Sequence, residues 1–214
     1  GDPSVLRRTI RLAMANDVAI GAHPGFPDLV GFGRREMNAT PAEVEDLVLY
    51  QVGAVAGVAA AEGARLQHVK PHGALYNLAV RDAATSAAIA RAVAAADRSL
   101  ILFGLAGSEM LEAGRAAGLR VAAEAFADRA YEPDGSLASR RKTGTVIDDP
   151  DRVVARVLRM VTDGTVEATD GSTVAIAAET VCVHGDTQGA EQLAAKIRAG
   201  LEQAGVALRP VGAE

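Results

Sequence analysis

The chain has one cysteine, Cys182, no tryptophan and only 3% aromatic residues. A single thiol excludes an internal disulfide framework, and Cys182, set in an apolar stretch, reads as inert core. No long basic block is present and the formal net charge is −5, which argues against nucleic acid as a partner. There is no apolar run of about 18 residues and no visible signal peptide, so we expect a cytoplasmic protein with no membrane partner. The phosphate-loop pattern G-x-x-x-x-G-K-[ST], the dinucleotide pattern G-x-G-x-x-G and the nucleophile elbow G-x-S-x-G are all missing. So are HxH, HExxH and paired-cysteine spacings, and no metal site is assigned.

What is there is an apolar fraction of 49% in 214 residues, enough to fill the core of one domain spanning 1–214. Asp2-Pro3 starts a helix, and Thr40-Pro41-Ala42-Glu43 is a capping box that starts another, running to about Glu62 with Val44, Leu47, Val48, Val55 and Val58 inside. Further helices are predicted over 82–96, after Ser108, from Pro150 with Val153, Val154, Val157, Leu158 and Val161 inside, and around Leu193, Ile197 and Leu201. Short strands are predicted at 18–22, 66–70, 100–103, 119–124, 180–183 and 206–208, with a hairpin around Asp170-Gly171. Strands alternating with helices mean βαβ units and a mainly parallel sheet. Two loops, 23–39 and 125–148, exceed ordinary connection length, which usually marks function.

The polar residues are distributed on one side of this alternation. After each strand comes a Gly-bearing polar cluster: GAHPGFPD with His23 and Asp28, KPHGALYN with Lys70 and His72, GLAGSE, EAFADRAY with Glu124, Asp128 and Arg129, and VHGD with His184 and Asp186. The helix-to-strand junctions carry plain turn residues. In parallel α/β barrels the carboxyl ends of the strands hold the active site, so these clusters are the candidates. Other readings compete. The three histidines could be satisfied core residues, His68 is structural, and Asp186 could simply cap the last helix. Glu124 could be a buried carboxylate paired with Arg129, and Arg140-Arg141-Lys142 a solvated charge run.

The segments GAHPGFPDLVGFGRR (21–35), Tyr50-Gln51, HVKPHGALYN (68–77), EAFADRAY (124–131), 135–140 and VCVHGD (181–186) resemble the LamB/YcsF lactam-utilisation family. The resemblance implies an α/β fold, an irregular (β/α) TIM-like barrel similar to glycoside hydrolase/deacetylase barrels, with N-terminal strand(s) missing from the given chain. It implies ATP-dependent ring opening of a cyclic amide, 5-oxoproline to L-glutamate with ADP and phosphate. The chain would be one component of a multi-subunit 5-oxoprolinase, with two other subunits that resemble allophanate-hydrolase-type proteins. ATP enters on the resemblance alone, and the need for a divalent metal is open. On that reading Lys70 and Arg140 balance phosphate or oxyanion charge, and His72 or His23 moves protons. Glu124 or Asp186 orients a histidine or acts as base itself, and His184 is a further catalytic candidate, while Asp128 and Arg129 hold the substrate, with Tyr76 and Asn77 as further binding candidates. Two alternatives stand beside it: a metal-dependent amidohydrolase or deacetylase using His23, His72 and His184, and a non-catalytic substrate-binding subunit.

Overall fold

A computed structural model describes residues 2–140, 142–186 and 188–212. Arg141, part of the charge run, lies outside the described residues. The chain divides into two compact units, Gly1–Gly104 with Ser108–Ala122, and Leu105–Gly107 with Ala123–Glu214.

In the first unit, helix α1 (Pro3–Ala15) is capped by the Asp2 carboxylate, which accepts from the N–H groups of Ser4 and Val5. Helix α2 (Pro41–Ala61) carries the full capping box, with Thr40 and Glu43 bonded reciprocally. Its buried stripe is Val44, Val48, Val52 and Ala59, whereas Leu47, Val55 and Val58 are only half-buried. Val52 and Ala59 hold the buried positions where Val55 and Val58 were expected. By length and composition α2 is the one helix among the described residues able to cross a membrane, against the expectation of no such run; here the helix packs against α4 (Ala83–Ala96). Strands β1 (Ile20–Ala22), β2 (Leu66–Val69) and β3 (Ile101–Leu105) pair in parallel in that order.

One element was not expected. Gly73, which reads as a sharp turn, opens a short helix, α3 (Gly73–Ala79). Gly73 does sit at φ 58, and it also approaches the backbone of Gly33 so closely that a Cβ would meet the Gly33 carbonyl oxygen at 2.4 Å. Both demands select glycine. Helix α5 (Glu109–Ala116) follows Ser108, but that side chain makes no capping bond and its Oγ is buried with no hydrogen-bond partner among the described residues.

In the second unit, β4 (Arg120–Phe126) runs in from the first and pairs in parallel with β7 (Thr180–Cys182), Phe126 opposite Cys182. The end of β3 joins this unit through Ala106, whose N–H donates to the Glu124 carbonyl at 3.0 Å. Helices α6 (Pro150–Thr162) and α7 (Ala190–Gln203) pack together over Val153, Val157, Leu193, Ile197 and Leu201. Val154 and Leu158 pack at the margin of this cluster, but Val161 is exposed. The predicted hairpin is present as antiparallel β5 (Thr165–Glu167) and β6 (Thr173–Ala175). The predicted strand at 206–208 is not: those residues are irregular, with Val206 turned back onto Leu201 by a 2.9 Å bond. Asp186 does not cap α7; the cap is Gly189 at φ 77, with no side-chain bond.

Candidate functional site

Each unit holds a cluster of candidate residues, and each cluster grows from the carboxyl ends of two neighbouring parallel strands.

In the first unit the strands are β1 and β2. Their pairing continues past their ends, as Lys70 N–H donates to the Ala22 carbonyl (3.0 Å) and His72 N–H to the Pro24 carbonyl (2.8 Å). Pro24 and Pro71 have no N–H to donate, so bonds are missing from the ladder at these positions. His23 and His72 then meet edge to face, ring centroids 4.7 Å apart, with His23 Nε2 2.9 Å from His72 Nδ1. The outer nitrogens face main-chain carbonyls: His23 Nδ1 donates to Lys70 O at 2.5 Å, and His72 Nε2 to Phe32 O at 2.7 Å. All four ring nitrogens are therefore engaged.

The loop that supplies Phe32 is rigidly tied. Asp28, 6% exposed, accepts from the Gly31 N–H and from the Arg35 guanidinium, including a very close contact to Nη2. That guanidinium, together with the Gly31 and Arg35 N–H groups, pulls the Asp28 carboxyl down to about 2. Phe32 adopts φ 55, one of two positive values at non-glycine positions among the described residues. Its ring rests edge-on against His72 at 5.2 Å. From α2, the Gln51 amide clasps Gly25 at both ends, accepting at 3.1 Å and donating at 2.9 Å. Lys70 Nζ stands 6.0 Å above the Tyr76 ring. Tyr76 is buried; Asn77, the other binding candidate on α3, is exposed and stands apart from the histidines in the hydrogen-bond pattern. His68 stacks on Phe103 at 4.5 Å, and burial pushes its pKa down.

In the second unit the strands are β4 and β7. Asp128, 1% exposed, puts both carboxylate oxygens 2.9 Å from His184 Nδ1. Nδ1 is thus the protonated donor, and Nε2 has no hydrogen-bond partner among the described residues. Asp128 was expected to hold substrate, and Glu124 or Asp186 to orient a histidine. In the structure the carboxylate bonded to His184 is that of Asp128. Glu124 is buried on β4, and Asp186 is exposed. Two residues beyond Glu124, Phe126 lays its ring 5.7 Å from His184.

Arg129 is 4% exposed. Its Nη2 donates to Ala138 O, while Nε is buried with no hydrogen-bond partner among the described residues. Burial first, and the charge of Arg140 second, bring its pKa down to about 10. Residues 125–148 are no open loop. Ala130 N–H donates to Thr145 O, Ala138 N–H to Ala130 O and Ile147 N–H to Asp128 O, all at 2.9 Å. Arg156 braces the Arg129 carbonyl at 2.9 Å, and the buried Tyr131 hydroxyl accepts from the Phe126 N–H at 2.8 Å. Burial raises the Tyr131 pKa well above the ordinary phenol value. Among the described residues no group of three or more His, Cys, Asp or Glu side chains is arranged to hold a metal ion.

The LamB/YcsF family model matches residues 1–214. The chain belongs to the LamB/YcsF family. Among similar LamB/YcsF-type proteins, the A subunit of 5-oxoprolinase from Bordetella pertussis is 55% identical over 209 residues, covering 98% of this chain and 83% of that one. Its counterpart from Geobacillus thermodenitrificans, of the same name, is 52% identical over 214 residues, covering 100% and 84%. A solved structure, the lactam utilization protein from Thermus thermophilus, superposes with a TM-score of 0.89 at 53% identity, covering 98% of this chain and 83% of that one. The fold is the α/β, irregular TIM-like barrel type that the family resemblance implies.

Two features of the site were not legible in the sequence. The bond from His72 to Phe32 runs to a main-chain carbonyl, which no side-chain pattern encodes. Gln51 stands in one of the segments that carry the family resemblance, but only the structure shows it clasping Gly25.

Proposed function

We propose that the chain is the A subunit of a 5-oxoprolinase, opening 5-oxoproline to L-glutamate at the expense of ATP. The observation that carries this reading is identity of 52% and 55% over nearly the whole chain to proteins named as the A subunit of 5-oxoprolinase. An unstrained lactam carbonyl is a poor electrophile. Transfer of the terminal phosphoryl group to its oxygen releases ADP and exposes the carbon to water. The ring C–N bond then breaks, the nitrogen takes a proton, and a second water releases phosphate.

The Asp128–His184 dyad suits the proton transfers. With Nδ1–H held by a buried carboxylate, Nε2 accepts a proton from water and returns it to the leaving nitrogen, while Asp128 stabilises the imidazolium between the two events. ATP requires a cationic group with donors to spare, and Arg129, whose Nε has no hydrogen-bond partner among the described residues and which feels the charge of Arg140, is of that kind. In this proposal two further subunits complete the enzyme, and the complex works in the cytoplasm, where ATP is available.

The test is ADP and glutamate release by the chain with both partner subunits, with and without 5-oxoproline. Release of both products only when 5-oxoproline is present supports the reading. ADP release that ignores 5-oxoproline overturns the substrate, and glutamate formation without ATP overturns the coupling.

A further inference from the structure

The amino ends of β2 and β3 hold a feature that the proposed reaction does not use. Where α2 and α4 run out and the chain turns into these strands, there is a cavity of about 260 Å³ bordered by both helices. Val52 and Leu100, both buried, lie at its floor. Ala56 and Ala60, on successive turns of α2, line a wall, and their one-carbon side chains leave the space unfilled. Two exposed charged residues complete the lining, Arg65 just ahead of β2 and Asp97 at the C-cap of α4. Asp97 Oδ1 accepts from the Ser99 N–H at 2.8 Å and from the Ser99 hydroxyl at 2.7 Å, while Oδ2 makes no hydrogen bond among the described residues. The Ser99 bonds chiefly hold the Asp97 carboxyl below its ordinary range, and the charge of Arg65 adds to this, yet the two side chains form no ion pair. Other charges close in sequence are committed elsewhere. Glu62 pairs with Arg7 and Arg11, and Arg98 donates to the Ala117 carbonyl at 3.3 Å.

We propose that this cavity binds a free aliphatic α-amino acid, with its ammonium group on Asp97, its carboxylate on Arg65 and its side chain against Ala56, Ala60 and the apolar floor. Opposite charges that share one cavity without meeting are bridged by a ligand that carries both counter-charges on adjacent atoms. The guanidinium fork matches a carboxylate, and the carboxyl end of α4, with its partial negative charge, adds to the pull of Asp97 on an ammonium group. The volume lies just under the roughly 300 Å³ at which pockets for drug-sized ligands begin, which suits an amino acid and not a nucleotide. L-Glutamate, the product of the proposed reaction, would bring a second carboxylate onto an apolar floor that has no donor for it, so the site selects against it. The cavity lies at the opposite end of β2 from His72, so a ligand there leaves the histidine cluster open.

Calorimetric titration of the whole chain with L-leucine tests this. We expect saturable binding at a single site with a Kd of about 1 mM or tighter. Isocaproate lacks the ammonium group and isoamylamine lacks the carboxylate, so each should bind at least about 10-fold more weakly, as should L-glutamate. Arg65→Gln and Asp97→Asn, both at exposed positions, should each weaken leucine binding by about the same factor. Ala60→Leu fills the cavity with both charges intact and should abolish binding. If that variant folds poorly, the two charge variants and the analogues decide the matter without it. Absence of saturable leucine binding overturns the proposal, as does wild-type affinity in either charge variant. Isocaproate or L-glutamate binding as tightly as leucine overturns it too, since the site would then not read an aliphatic zwitterion. No substrate or partner subunit is needed, so this outcome is independent of the 5-oxoproline assay.

Discussion

Asp128 and His184 come from the ends of two adjacent parallel strands, yet the carboxylate reaches the imidazole symmetrically, each oxygen 2.9 Å from Nδ1. The aspartate is 1% exposed, so water does not compete for it. The contact fixes the tautomer of His184 and leaves Nε2 as its reactive atom.

His184→Ala should therefore reduce kcat for 5-oxoproline-dependent ADP release by about 10²–10⁴-fold, with little change in thermal stability, since the ring is partly exposed. Asp128→Asn should give a comparable loss with a shifted pH profile, because an amide can hold the opposite tautomer. An unchanged kcat in His184→Ala would remove the dyad from the chemistry.

The Asp28–Arg35 pair gives a stability prediction with a defined sign. The folded-state carboxyl is depressed to about 2, below its ordinary value, so its contribution is present above roughly pH 4 and disappears as the pH falls towards 2. Thermal melts of wild type and Arg35→Ala should differ at neutral pH and converge near pH 2. Parallel curves across that range would show that the pair contributes nothing to folding.

Gly73→Ala should be among the costlier single substitutions in the first unit. It combines φ 58 with a 2.4 Å approach to a backbone oxygen that cannot swing aside. We expect a loss of about 2 kcal/mol or more by denaturant unfolding. Gly63→Ala, also at positive φ (81) but with open space around the added carbon, should cost less. Equal losses at both positions would assign the effect to φ alone and not to contact with Gly33.

Much of this is readable from the residues alone. The Thr40–Glu43 capping box, the Asp170-Gly171 hairpin and the alternation of strands with helices are local signals, and the structure contains each. The siting of His23, Lys70, His72, Asp128 and His184 after strands follows from the same alternation. Helix α3 is hidden because a glycine at its first position looks like a turn. That Asp128 is the partner of His184 is hidden, because strand alternation does not tell which carboxylate just past a strand end bends back onto its neighbour. Periodicity fixes a helical face only to within a residue or so of its margin, so Val161, expected inside, is exposed.

Both outer anchors of the histidine pair, Lys70 O and Phe32 O, belong to the main chain. The grip on these rings is thus written in the path of the polypeptide and not in the identity of the residues that supply it. Alanine scanning at positions 32 and 70 would leave both acceptors in place and could pass over them entirely. A one-residue insertion or deletion between Asp28 and Gly33 would move an acceptor without altering any chemical group at the site. Among homologues, we expect the length of that segment to be held more strictly than its composition.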